Sequence, residues 1–120
     1  MNKKSMTERG HDATVAYLGR SGMQIVAENY KTPDGIIPII ATDGDTLVRV
    51  GIKVTTMDGK VGDYSMPSAA TRIKHHVQMA DYISKVAPEG VDIAVRFDDV
   101  QLKVIAEDRA LLRHHRAAYC

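Results

Sequence analysis

Ile36-Ile37-Pro38-Ile39-Ile40-Ala41-Thr42-Asp43-Gly44-Asp45-Thr46-Leu47-Val48-Arg49-Val50-Gly51-Ile52-Lys53-Val54-Thr55-Thr56 is the stretch on which the fold turns. Ile36 to Ala41 is a short apolar run, and Asp43-Gly44-Asp45 closes it with the chemistry of a hairpin turn. Thr46 to Thr56, rich in Val, Ile and Thr, reads as the returning strand. Just upstream, Met23, Ile25 and Ala27 alternate with polar neighbours as a half-buried strand does, and Thr32-Pro33-Asp34-Gly35 is a turn. Three strands therefore follow one another. Before them, Ser5 and Glu8 have capping-box spacing, Ala13, Ala16, Tyr17 and Leu18 keep roughly helical spacing, and Ser21-Gly22 is a stop.

Downstream, Asp58-Gly59 and Gly62-Asp63 mark a loop. From Ser68 to Val86 the period becomes helical, with Ile73, Val77, Ala80 and Ile83 on one apolar stripe, and Pro88-Glu89-Gly90 ends it. Val91, Ile93, Val95 and Phe97 then alternate. Val100, Leu102 and Val104 resume after a one-residue slip at Asp98-Asp99, which suggests a bulge or bend. Glu107 to Cys120 reads as a short helix or an irregular tail. The order α-β-β-β-α-β predicts an α/β or α+β fold, a central mixed β-sheet flanked by helices. The expected core is Ile25, Ile39, Leu47, Ile52, Ile73, Val77, Ala80, Val95 and Phe97.

The 120 residues suit a single domain over positions 1–120, with 1–5 and the last few residues expected to lie outside the ordered body. Sixteen basic against 15 acidic residues leave a net charge of +1, so bulk charge does not announce a nucleic-acid binder. One cysteine, Cys120, excludes an internal disulfide and a Cys-rich zinc site. No apolar run approaches the ~20 residues of a membrane helix, and the N-terminal residues lack the apolar segment of a signal peptide. These features predict a cytoplasmic protein without a membrane partner.

The first helix with Ala16-Tyr17-Leu18, then Gly22, Ile25 and Glu28-Asn29-Tyr30, resembles the opening of the YraN-like family. The likeness continues through Asp43 to Val48, Lys53, Pro67, Thr71-Arg72-Ile73-Lys74 and Val95-Arg96-Phe97-Asp98. It reaches His115-Arg116-Ala117-Ala118-Tyr119 and so spans nearly the whole chain. The resemblance implies a restriction-endonuclease-like, Holliday-junction-resolvase-like fold of the PD-(D/E)XK superfamily. It further implies a Mg²⁺ site of a helix Glu, a Gly-Glu-Ile-Asp strand and a Glu-Val-Lys strand. Carboxylates would hold the hard cation, and the metal would lower the pKa of the attacking water.

On those positions the resemblance places His11, Ile36, Pro38 and Gly51, and only Lys53 matches. Neither Ile, Pro nor Gly offers a side-chain oxygen. The expected catalytic and metal residues are therefore none, with Lys53 a relic, and no cofactor is expected. Three function classes remain. One is a catalytically degenerate nuclease fold with weak, sequence-independent DNA binding, duplex or branched, through Lys53, Arg72 and Lys74. The second is a protein-interaction module, and the third is an active endonuclease with relocated ligands. Asp34, Asp43, Asp45, Asp58 and Asp63 would be the relocated ligands, but their Gly, Thr and Pro neighbours explain them as turn residues. His75-His76 and His114-His115 lack the i, i+4 spacing of a helical metal pair and read as solvated surface. Tyr82 is the one aromatic in the basic helix, which gives little support to base stacking there.

Overall fold

In the computed structural model, residues 5–55 and 64–120 are described. The loop expected around Asp58-Gly59 and Gly62-Asp63, two of the candidate ligands with it, and residues 1–4 lie outside them. The elements are α1 (Met6–Arg20), β1 (Gln24–Thr32), β2 (Gly35–Asp43), β3 (Thr46–Thr55), α2 (Ala69–Val86), β4 (Ala94–Ala106) and β5 (Arg109–Tyr119). One mixed sheet carries the strands in the order β1-β2-β3-β4-β5. Only β3 and β4 are parallel, joined across α2, and the other pairs are antiparallel. The α/β class and the flanking helices follow the sequence reading, and the arrangement is compatible with a restriction-endonuclease-like fold.

The Ser5 hydroxyl accepts the Glu8 N–H at 3.1 Å and the Glu8 carboxylate accepts the Ser5 N–H in return, which starts α1 where the capping box predicts. Helix α1 packs one sheet face. There Leu18 and Met23 meet Ile39, Ala41, Val48, Val50, Val100 and Leu102. Gly10 permits this approach, because a Cβ at that position would overlap the Val54 side chain. Helix α2 covers part of the other face, where Met79 and Tyr82 pack with Ile37, Ile40, Leu47, Phe97 and Tyr119.

Two expectations are corrected. The tail is strand β5, so the order gains a final strand, and Tyr119 is buried beneath α2. Its run of mixed charges and alanines has no alternation, and the Glu107-Asp108 turn that starts it lacks the usual glycine. Second, Ile73 and Val77 are 65% and 45% exposed, and Ala80 is exposed too. The face of α2 turned inward instead carries His75, Gln78, Met79 and Tyr82. Those positions also fall on one helical stripe, and they offer what Ile and Val cannot: polar partners for buried Arg49 and Tyr119. Of the remaining core expectations, Ile39, Leu47 and Phe97 are buried, and Ile25, Ile52 and Val95 are partly so.

The irregularity expected at Asp98-Asp99 is present where β4 meets β5, between Phe97 and Asp99, while pairing with β3 runs unbroken from Thr46↔Ala94 to Thr55↔Lys103. The apolar pattern changes phase because its side of the sheet changes. Val95 and Phe97 face α2, Val100 and Leu102 face α1, and Asp98 and Asp99 stand at the crossover. The irregularity lies across from them in β5. Phe97 pairs with Tyr119 while Asp99 pairs with His115, which leaves β5 with extra residues around Ala117, at φ 49°.

Asp98 closes that bulge. It is fully buried and accepts from Arg96 at 2.8 and 2.9 Å, from the Ala117 N–H at 2.9 Å and from His114 Nε2 at 2.8 Å. Burial pushes its carboxyl pKa up, but the hydrogen bonds from Arg96, Ala117 and His114 outweigh it and hold the pKa below the ordinary value.

Two predictions follow from this packing. Phe97→Ala should cost about 3–5 kcal/mol, read as a lowered denaturant midpoint; an unchanged midpoint would place the ring outside the core. Asp98→Ala leaves His114 Nε2 and the Ala117 amide without an acceptor and Arg96 with Asp43 alone, and should also cost about 3–5 kcal/mol. The depressed carboxyl gives the sign of the pH effect. Its contribution is complete above the unfolded value near ~3.9 and is lost as pH falls through the folded value. Asp98→Asn should therefore flatten the acid limb of a melting-temperature curve recorded from about pH 5 downward.

Candidate functional site

Helix α2 leaves the far half of its sheet face uncovered, over β3, β4 and β5. Strand alternation puts Arg49, Gly51 and Lys53 of β3 on this face. The register sets them beside Phe97, Asp99 and Gln101 of β4, and these beside Tyr119, His115 and Arg113 of β5. One row further, Thr55, Lys103 and Leu111 continue the surface. A groove of about 390 Å³ runs along it, between the sheet and the segment entering α2, lined by Pro38, Arg49, Gly51, Lys53, Tyr64 and Asp99 among others.

The groove floor is polar and tightly partnered. Arg49 is only 3% exposed, and its Nε and Nη2 donate to Gln78 Oε1 at 3.1 and 2.9 Å. Burial lowers its pKa, partly offset by Tyr119 and Asp99, and a guanidinium stays charged under those conditions. Gln78 in turn donates to the Asp34 carbonyl at 2.9 Å, so one amide ties α2, β3 and the β1–β2 turn together. Gly51 is required by its neighbour: a Cβ there would overlap Asp99 Oδ1. Asp99 accepts the Tyr64 hydroxyl, and burial raises its pKa against the opposing pull of Tyr64, Arg49 and His115. Tyr64 also stacks on His115, with ring centroids 4.1 Å apart and planes at 21°. His115 Nε2 and Gln101 Oε1 are 2.7 Å apart. At the inner end, His75 Nδ1 lies 2.6 Å from the Tyr119 hydroxyl. Burial, then Arg49, His76 and Lys74, push the His75 pKa down to about 4, so the ring is neutral at neutral pH.

The positions singled out in the sequence are only partly gathered. Pro38, Gly51 and Lys53 line one groove. Ile36 is 52% exposed on the same strand as Pro38, beyond the last β2–β3 pair at Ile39↔Val50. His11 stands elsewhere, with Nε2 2.8 Å from Glu28 Oε1 in a separate depression between α1 and β1. Arg72 borders the groove, its Nη1 donating to the Pro67 carbonyl at 2.6 Å, while Lys74 is exposed on α2 and is not part of the lining. Asp43 pairs with Arg96 at 2.9 Å and with Arg116 at 3.4 Å.

The histidines are a correction, since all four make side-chain contacts, His76 with the Phe97 ring at 4.3 Å. His75 meets Tyr119. His114 points through to the α1 face, 2.9 Å from the Tyr17 hydroxyl, and His115 points to the groove. A strand sends neighbours to opposite faces, so the His114-His115 pair cannot share a ligand. Arg113, Lys103 and Tyr64 were missed. The first two become neighbours of Lys53 only once β5 is a strand, and Tyr64 carries no local pattern at all.

The described residues of this groove offer no ligand set for the implied Mg²⁺. Among the described residues, no three His, Cys, Asp or Glu side chains converge to hold an ion. The carboxylate nearest to Gly51, Asp99, already accepts from Tyr64 and sits beside the Arg49 cation. No helix among the described residues is long and apolar enough to cross a membrane.

No protein-family model matches the chain. Among curated proteins it is similar to the UPF0102 protein of Dictyoglomus thermophilum, 35% identical over 104 residues, covering 82% of this chain and 81% of the relative. A UPF0102 protein of Geobacter sulfurreducens is 28% identical over 120 residues, covering 98% and 91%. One from Geobacter metallireducens is 30% identical over 104 residues, covering 85% and 82%. With relatives of that name matched along most of both chains, this protein belongs to the UPF0102, or YraN-like, family.

Proposed function

We propose that the protein is a catalytically degenerate nuclease-fold member of this family that binds DNA weakly, through the phosphate backbone and without sequence preference. The supporting observation is the basic sheet face. Lys53, Lys103 and Arg113 come from three adjacent strands and lie within one row of each other, against Asp99 as the one acid in the rows from Gly51 to Leu111. Lys53 and Arg113 are two strands apart, about 10 Å at the usual strand spacing. A net charge of +1 hides this face, because the compensating acids lie elsewhere. Flexible cations on a face with no helix or ribbon to enter a groove contact phosphates and read no bases. Cleavage is absent in this reading, since Pro38 and Gly51 supply no ligand and Asp99 is engaged by Tyr64 and Arg49.

A second reading, a protein-interaction module, is favoured by one observation: the apolar stripe Ile73, Val77 and Ala80 that α2 turns to solvent.

Binding should fall with salt at a slope of log K against log salt near about −3 for three phosphate contacts. Lys53→Ala, Lys103→Ala and Arg113→Ala should each make it shallower by about one unit, and Lys74→Ala should leave it unchanged. Loss confined to Lys74→Ala would move the interface to α2, and no binding at low salt would leave the interaction module. Calorimetric titration with Mg²⁺ or Mn²⁺ should be flat and DNA should remain uncut. A saturable micromolar site, or nicking that Lys53→Ala abolishes, would restore the active-enzyme reading.

A further inference from the structure

Resting on the DNA-binding reading, we infer that this face takes single-stranded nucleic acid in preference to duplex, with an unpaired base stacking on Tyr64. Four observations carry the inference. The Tyr64 ring is fixed rather than loose: its hydroxyl is bonded to Asp99 and one ring face lies against His115 at 4.1 Å, while the residue lines the groove. His115 is itself held by Gln101 at 2.7 Å, so the stacked pair is pre-positioned and loses little freedom when a base joins it. The surrounding positions are cationic, with Lys53, Lys103 and Arg113 in the rows next to Asp99 and His115. Leu111, 59% exposed, adds an apolar patch in the row of Lys103.

Basic side chains that follow a backbone, interleaved with an aromatic ring that accepts any base, are the two requirements for sequence-tolerant binding of an unpaired strand. A duplex can use only the first of them. Its bases are stacked within the helix, and reaching Tyr64 would require unpairing. Gly51 contributes by its missing Cβ, which lets Asp99 lie close against β3 while it holds the Tyr64 hydroxyl. The aromatic pair also explains why a face with few cations could retain a strand: stacking adds affinity that does not depend on counterion release.

The test is fluorescence anisotropy of the whole protein with four labelled probes of equal length. These are a single-stranded thymidine oligonucleotide, its RNA counterpart, a DNA duplex and a single strand of abasic sites. The two single strands should bind about tenfold more tightly than duplex and abasic chain. Tyr64→Ala should weaken the single strands by about tenfold and leave the abasic chain unchanged, because that probe has nothing to stack. Tyr64→Phe keeps the ring and should retain most of the preference. A circular-dichroism melt on each variant separates a lost contact from a lost fold. Equal or tighter binding of duplex, or a Tyr64→Ala protein that weakens the abasic chain as much as the thymidine strand, would overturn the inference while leaving backbone binding intact. Binding of none of the four probes would overturn both.

Discussion

The buried carboxylate of Asp98 is the constraint around which the sheet is arranged. Its two oxygens accept from Arg96, His114 and the Ala117 amide, and Arg96 reaches on to Asp43 at the end of β2. His114 passes the chain of contacts to Tyr17 on α1, whose ring meets the imidazole edge-on at 5.4 Å. One residue thus links β4, β5, β2 and α1. An isolated buried carboxylate would be too costly to retain, and this one is tolerated because each oxygen is saturated by donors. No buried side-chain nitrogen or oxygen among the described residues lacks a partner, so the network is complete as well as extensive.

The same contact decides where the last strand points. By holding the Ala117 amide, Asp98 stabilises a left-handed backbone at a residue other than glycine and lets β5 gain residues relative to β4. Beyond the bulge Tyr119 falls beside Phe97, stacked at 5.2 Å and within reach of His75. Before it, His115 falls beside Asp99 and receives Tyr64. A structural carboxylate on one face of the sheet therefore organises the aromatic and basic side chains on the other, and its neighbour Asp99 belongs to that second face.

The two faces of the sheet differ in character along β4. The α1 face is mostly apolar around the Asp98 network, with Leu18, Met23, Ile39, Val48, Val50, Val100 and Leu102 packed together. The opposite face is apolar only under α2, then becomes a groove of Arg49, Lys53, Tyr64, Asp99 and Gln101 as the helix cover ends. Gly51 marks the change. The space beside it is taken by Asp99 from the neighbouring strand, with Arg49 nearby.

The sequence by itself determined the three leading strands, both helices and the Ser5–Glu8 cap, because each is written in local spacing or residue type. It also determined Lys53, since alternation along one strand places it two positions from Gly51. Only the tertiary structure decided the rest. Strand β5 has no alternation to reveal it, because part of one side faces solvent and a bulge breaks its period. The inward stripe of α2 could not be read from hydrophobicity, because buried Arg49 and Tyr119 demand polar partners there. The phase change at Asp98-Asp99 marked the bulge against β5, but not that the covered face also changes there, a property of where a helix lies. Lys103, Arg113, Tyr64 and His115 are far apart in the chain or lack any local signal. They meet only because hydrogen-bonded register, set by Asp98, aligns three strands side by side.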